Sequence, residues 1–104
     1  MAKYAVRLEG GGCLVKIQEH FLGFFRRPTV KCKGFFTTRF IEAASPHEAA
    51  AKATDMVRQE MKQFLSNEPH DPWTLSVLEV WEDPQQFDSH APGSGCTWFE
   101  PTSN

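Results

Sequence analysis

The feature that most constrains the fold is a junction between a predicted strand and a predicted helix. Gly34 to Ala43 (GFFTTRFIEA) is rich in aromatic and β-branched residues, which is typical of a strand. Ser45, Pro46 and Glu48 follow. Serine with glutamate three residues later is a capping box, and proline suits the first helical position because its missing N–H is not needed there. The sequence therefore predicts a strand that passes directly into a helix at Pro46.

The predicted helix runs from Pro46 to about Leu65 and carries one apolar stripe. The stripe residues recur at three-to-four spacing: Ala50, Ala53, Val57, Met61 and Phe64, widened by Ala49, Met56 and Leu65. Alanines near the start of the helix allow its axis to approach a sheet closely. Ser66, Asn67 and Pro69 are expected to end it.

Three further strands and one loop are predicted from alternation and turn residues. Tyr4 to Glu9 and Cys13 to Gln18 alternate apolar and polar residues, and Gly10 to Gly12 between them predict a hairpin turn. His20 to Lys33 is predicted to be a loop with a short extended piece, because glycine and proline interrupt it. Trp73 to Trp81 is predicted to be another strand. Together the segments predict an α+β fold: a mostly antiparallel sheet of about four strands, with one long helix packed on one face.

Length and composition predict one domain over residues 1–104. With 104 residues, 40% of them hydrophobic, the chain suits a single core. The segment from about residue 85 is expected to pack back on the body, because Trp98 and Phe99 would otherwise be left in water at a cost of roughly 2 kcal/mol per side chain.

The chain is expected to be cytoplasmic. Its first ten residues lack the apolar core of a signal peptide, and its longest apolar runs are shorter than the roughly 18 residues of a membrane span. Three cysteines without a C-x-x-C pair favour reduced thiols over a disulfide framework or a zinc site. We expect no membrane contact.

A concentrated apolar cluster lies within the segment predicted to be a loop. Its members are Phe21, Leu22, Phe24 and Phe25. Such a cluster either fills the core or contacts another chain, and so many aromatic residues in a small domain favour a two-fold homodimer. We therefore predict an interface at these four residues.

A run of basic residues without an acidic one follows that cluster. Its members are Arg26, Arg27, Lys31, Lys33 and Arg39. Basic groups beside phenylalanines are typical of proteins that bind single-stranded nucleic acid, whereas the net charge of −2 favours a solvated surface. An anion-binding site at these five residues is the alternative hypothesis.

Catalytic and metal-binding signatures are sparse. The four histidines fit no metal-ligand spacing, and nothing in the sequence places a histidine within hydrogen-bond reach of Cys13, Cys32 or Cys96. Glu79, Glu82 and Asp83 gather at the end of the last predicted strand and are interpreted as an exposed acidic strand end. We predict no catalytic residue, no metal and no cofactor, while leaving a small enzyme open.

Two resemblances follow from these segments. Gly34 to Arg39 with the capped helix, together with the ending from Pro92 to Trp98, resembles a group of small bacterial proteins of unknown function. The order of strands, one helix and another strand is similar to the partial RNase-H-like domain of HicB-type antitoxins. The resemblances imply a bacterial cytosolic protein with a protein partner. The first hypothesis is thus a non-enzymatic, self-associating interaction module, and the alternative is a nucleic-acid or polyanion binder.

Overall fold

The computed structural model describes residues 1–17, 20–21, 24–25, 29–67, 72–93 and 95–99. The helices and strands in these ranges are β1 (Ala2–Ile17), β2 (His20–Phe21), β3 (Phe24–Phe25), β4 (Thr29–Ala43), α1 (Pro46–Met61), β5 (Thr74–Glu82), α2 (Pro84–His90) and β6 (Thr97–Phe99). Four strands form an antiparallel sheet in the order β5-β1-β4-β6, and β2 pairs with β3. The predicted α+β class and the four-stranded antiparallel sheet are confirmed.

The core lies between α1 and one face of the sheet. Alternation along the central strands sends Val6 and Leu8 of β1, and Phe35 and Ile41 of β4, toward the helix. The helix contributes four buried residues, which are Ala49, Ala53, Val57 and Met61. The predicted stripe is therefore correct in period but begins at Ala49, whereas Ala50 is only half-buried.

The N-terminus of α1 has the predicted cap. The Ser45 hydroxyl accepts a hydrogen bond from the Glu48 amide at 3.1 Å, and the Glu48 carboxylate accepts one from the Ala44 amide at 3.3 Å. The C-terminus lies at Met61, four residues before the predicted Leu65. The helix is shorter because the chain beyond it turns to join β1, where Leu65 forms a bridge with Val15.

The predicted hairpin turn at Gly10 to Gly12 is wrong, because β1 runs unbroken from Ala2 to Ile17. A Cβ at Gly10 would lie 2.0 Å from the buried Phe35 ring, so the glycine leaves room for that ring. Gly12 has a φ of 66°, and the pairing register with β4 shifts between Gly10 and Cys13. The glycines thus accommodate a ring and a bulge within one strand.

The prediction of a loop from His20 to Lys33 is also wrong in its last part. Thr29 to Lys33 begins β4 and pairs with Ile17 to Cys13 of β1. We call this hairpin extension, together with β2 and β3, the arm. The radius of gyration is 16.2 Å, whereas a compact domain of this length has about 13 Å, which is consistent with an arm that projects from the body.

The second face of the sheet carries α2, which the sequence analysis did not predict. Asp83 caps α2 by accepting a hydrogen bond from the Gln86 amide at 3.1 Å. The Lys3 ammonium contacts the Asp88 carboxylate at 2.6 Å and lies 5.2 Å from the Phe87 ring centre. The helix therefore covers the end of this face near Lys3.

Candidate functional site

An exposed apolar surface lies where α1 ends. It consists of Val15, Phe64, Leu65 and Trp98, which we call the apolar patch; these side chains line a concavity of about 590 Å³. Phe64 is 56% exposed and Trp98 is 37% exposed. The patch joins residues of β1, of β6 and of the segment that follows α1.

Hydrogen bonds fix the segment after α1 against the base of the arm. The Ser66 amide donates to the Leu14 carbonyl at 2.8 Å, and the Leu14 amide donates to the Asn67 side-chain oxygen at 2.8 Å. The side-chain Nδ2 of Asn67 also donates to the Gly12 carbonyl at 2.9 Å. Phe64 therefore projects from a backbone that is held on both sides.

Trp98 reaches the patch through the pairing of β6 with β4. Its register partner is the fully buried Phe35, and the two ring centres are 5.3 Å apart. One part of the indole thus packs on the core, while the rest faces the concavity. The apolar patch is consequently continuous with the core.

The predicted interface belongs to the segment that joins the two strands of the arm. The backbone of Phe21 pairs with that of Phe24, and His20 pairs with Phe25. Leu22 lies outside the described residues. The described part of this segment is therefore a short two-stranded pairing between the two long strands of the arm.

The residues of the predicted anion-binding site lie in three environments. Arg26 and Arg27 lie outside the described residues. Lys31 and Lys33 are in the arm portion of β4, and the Lys33 side chain is half-buried. Arg39 is 2% exposed and lies on the face of β4 that packs against α1. Within the described ranges, the structure does not bring Arg39 to an open surface with the lysines.

Arg39 forms an internal ion pair instead. Its Nη1 lies 2.7 Å from the Glu60 carboxylate of α1. Its other nitrogens donate to the Thr37 hydroxyl at 3.0 Å and to the Gly95 carbonyl at 3.3 Å, while Nη1 also donates to the Gly93 carbonyl at 3.2 Å. This guanidinium therefore ties the sheet, the helix and the C-terminal loop together.

Glu60 was not predicted from the sequence as the partner of Arg39. A signal for the burial of Arg39 was present, because in the strand alternation it shares a face with Phe35 and Ile41. The identity of its partner depends on how α1 lies over the sheet, and local spacing does not encode that packing.

The described thiols do not form a nucleophilic site. Cys13 is buried, and burial raises its pKa to about 11. Burial also raises the pKa of Cys96, and the neighbouring Arg39 guanidinium offsets part of that rise. Cys32 is exposed on the arm. Within the described ranges, no group of three histidine, cysteine or acidic residues is arranged to hold a metal ion.

Comparison with protein-family models, with curated proteins and with solved structures finds no match to this chain. Neither helix in the described part of the chain has the length and apolarity that a bilayer crossing requires.

Proposed function

We propose that this protein is a non-enzymatic interaction module that binds a second copy of itself through the arm and the apolar patch. The observation that carries the proposal is that a hairpin with an open strand edge lies beside two exposed aromatic rings. The segment predicted as the interface, from Phe21 to Phe25, joins the two strands of that hairpin.

The apolar patch supplies the first part of the binding energy. Full burial of a large apolar side chain contributes about 1.5–3 kcal/mol, so covering the exposed portions of Phe64 and Trp98 contributes about 1 kcal/mol each. Both rings line the same concavity, and one partner surface can therefore cover them together. Gln63 and Ser66 line the same concavity, so the two rings form the apolar part of a mixed surface.

The arm supplies unpaired backbone groups. Thr29 to Lys33 pair with β1 on one side, whereas β6 reaches only Gly34 to Phe36 on the other. In the described ranges, no strand pairs with this edge of the arm. Such an edge forms backbone hydrogen bonds with a second chain, and an antiparallel pair of identical edges has two-fold symmetry.

A second copy is the partner that uses both features. In a two-fold arrangement each copy contributes the same arm and the same apolar patch, so every contact occurs twice and the assembly closes. The architectural resemblance noted above implies a protein partner as well. A bacterial cytosolic setting, which the resemblance to small bacterial proteins of unknown function implies, is part of the proposal.

The anion-binding alternative remains a prediction. Arg26 and Arg27 are outside the described residues, Lys33 is half-buried, and Arg39 is engaged by Glu60. The contacts of the described residues therefore favour self-association over anion binding by this segment.

Sedimentation velocity over a range of protein concentrations tests the proposal. We expect wild-type protein to reach twice the monomer mass of 11.8 kDa. Phe64→Asp should shift the equilibrium to the monomer, because a carboxylate would be buried at the interface. Phe24→Asp should weaken the dimer in the same way, because it places a carboxylate in the arm.

Leu78→Asp is the matched control, since Leu78 is 47% exposed on β5, at the opposite edge of the sheet from β6. It should leave the dimer intact, and circular dichroism should show that all variants fold. A wild-type protein that stays monomeric at every concentration would refute the proposal. A dimer that survives Phe64→Asp but not Leu78→Asp would refute the assigned surface.

A further inference from the structure

The face of the sheet opposite α1 contains a second concavity, distinct from the apolar patch. The short α2 covers the end of this face near Lys3 and Phe40. Beyond that end lies a concave surface of about 640 Å³, open to solvent. We call its central lining the open-face site: Arg7, Phe36, Thr38, Trp81 and Thr97.

Arg7 places a guanidinium in this site, and its N–H groups are available to a bound ligand. Its guanidinium carbon lies 5.7 Å from the centre of the Phe36 ring, and that ring stacks on Phe99 with a centroid distance of 4.9 Å. A guanidinium held over a ring keeps its N–H edge open for acceptors. In the part of the chain that the structure describes, no carboxylate lies within 4.0 Å of Arg7.

Trp81 adds a flat apolar surface of fixed orientation. Its indole N–H donates to the Asp83 carboxylate at 3.2 Å, and 37% of the residue is exposed. Ala5 lies directly opposite Trp81 on β1, two residues before Arg7. Arg7 is therefore a diagonal neighbour of Trp81, with a distance of about 7–8 Å between the Cα atoms.

Two hydroxyl groups complete the site. Thr38 is half-buried and Thr97 is exposed, and both line the same concavity as Arg7. Neither hydroxyl makes a side-chain hydrogen bond to another described residue. They can therefore donate to, and accept from, a bound molecule.

We propose that the open-face site binds a nucleoside phosphate, with the base against Trp81 and the phosphate on Arg7. Across the face the order is Trp81 on β5, Arg7 on β1, Thr38 on β4 and Thr97 on β6. A base stacked on the indole therefore has its phosphate beside the guanidinium, with the two hydroxyls beyond Arg7 as further donors to the phosphate oxygens. Aromatic residues on the open face of a four-stranded antiparallel sheet are a known way of stacking bases. The volume is within the range of ligand sites, about 300–1,000 Å³.

Acidic neighbours set the charge that the site accepts. Glu79 is the cross-strand partner of Arg7, and Glu9 follows on the same face of β1. Both carboxylates repel additional phosphates, so the site suits a ligand with one phosphate near Arg7. Glu79→Gln should consequently raise the affinity for that ligand several-fold, by about the effect of one nearby like charge.

The test is a titration followed by NMR at low salt, with adenosine monophosphate as the probe. We expect saturable shifts of the Trp81 indole N–H and a loss of affinity of about tenfold or more in Arg7→Ala. Arg58→Ala is the matched control, because Arg58 lies 5.7 Å from the Trp73 ring centre and is not part of the open-face site. That control should bind like wild type.

Further probes distinguish a free nucleotide from a nucleic-acid strand as the source of the nucleoside phosphate. Adenosine alone and inorganic phosphate alone should each bind more weakly than the nucleotide. Tighter binding of a short single-stranded oligonucleotide, again dependent on Arg7, would assign the site to a nucleic-acid strand, and equal binding would assign it to the free nucleotide. The proposal is overturned if neither adenosine monophosphate nor the oligonucleotide shifts the Trp81 indole N–H signal. It is also overturned if Arg7→Ala and Arg58→Ala bind adenosine monophosphate with equal affinity. Self-association is independent of this result.

Discussion

At the residue scale, the charge that matters most to the fold is Arg39. A guanidinium that is 2% exposed requires partners for its charge and its donors, because an isolated buried cation is strongly unfavourable. Glu60 supplies the charge, while Thr37, Gly93 and Gly95 supply acceptors. These contacts hold the C-terminal loop on the body.

Removal of Glu60 tests the role of this ion pair. Glu60→Ala leaves the buried guanidinium without its carboxylate, and we expect the free energy of unfolding to fall by about 2–3 kcal/mol, less than for a fully buried pair because the Glu60 side chain is 32% exposed. Urea denaturation followed by circular dichroism gives the value. Lys52→Ala, which breaks the exposed pair with Glu48, is the control and should change stability little. Equal effects of the two substitutions would argue against a stabilising role for Arg39.

The burial of Arg39 was foreseeable from the strand pattern, but its function as an internal contact was not. Arg39 alternates in phase with Phe35 and Ile41, which are core residues. Its local sequence, however, places it in a basic run, and that suggests anion binding equally well. The choice between these readings depends on Glu60 and on the loop carbonyls, which are distant in sequence.

At the element scale, the capped helix was predictable and the long strand was not. The serine cap and the apolar period of α1 are local signals, so they fix its start and its buried face. Three consecutive glycines permit either a turn or a bulge. In the structure Gly10 leaves room for the Phe35 ring of the neighbouring strand, and the register with β4 shifts between Gly10 and Cys13.

Substitution of Gly10 tests that explanation. A Cβ at Gly10 would lie 2.0 Å from a carbon of the buried Phe35 ring, so Gly10→Ala should lower the free energy of unfolding by about 1–3 kcal/mol. Gly11→Ala is the neighbouring control, since its Cβ would lie 3.2 Å from the Thr74 hydroxyl and should be accommodated more easily. Urea unfolding of both variants gives the comparison. If Gly10→Ala were as stable as Gly11→Ala, the ring would not explain the glycine.

At the scale of the whole molecule, association depends on surfaces that several elements build together. Val15, Leu65 and Trp98 are remote in sequence, and they meet only because the chain after α1 returns to β1 and because β6 pairs with β4. Sequence patterns indicated surplus aromatic residues and a preference for a partner. They could not show that Phe64, assigned to the helix stripe, lies beyond the helix and faces solvent.

The exposed Cys32 allows the central claim to be measured directly. It lies on the arm, whereas Cys13 is buried and Cys96 can be replaced by serine, so a spin label can be confined to one site per copy. Pulsed electron–electron double resonance then reports the distance between the spin labels on two copies. We predict one defined intermolecular distance, which disappears on dilution with excess unlabelled protein and in Phe64→Asp. The absence of dipolar coupling in the undiluted protein, or coupling unchanged by Phe64→Asp, would contradict self-association through the arm and the apolar patch.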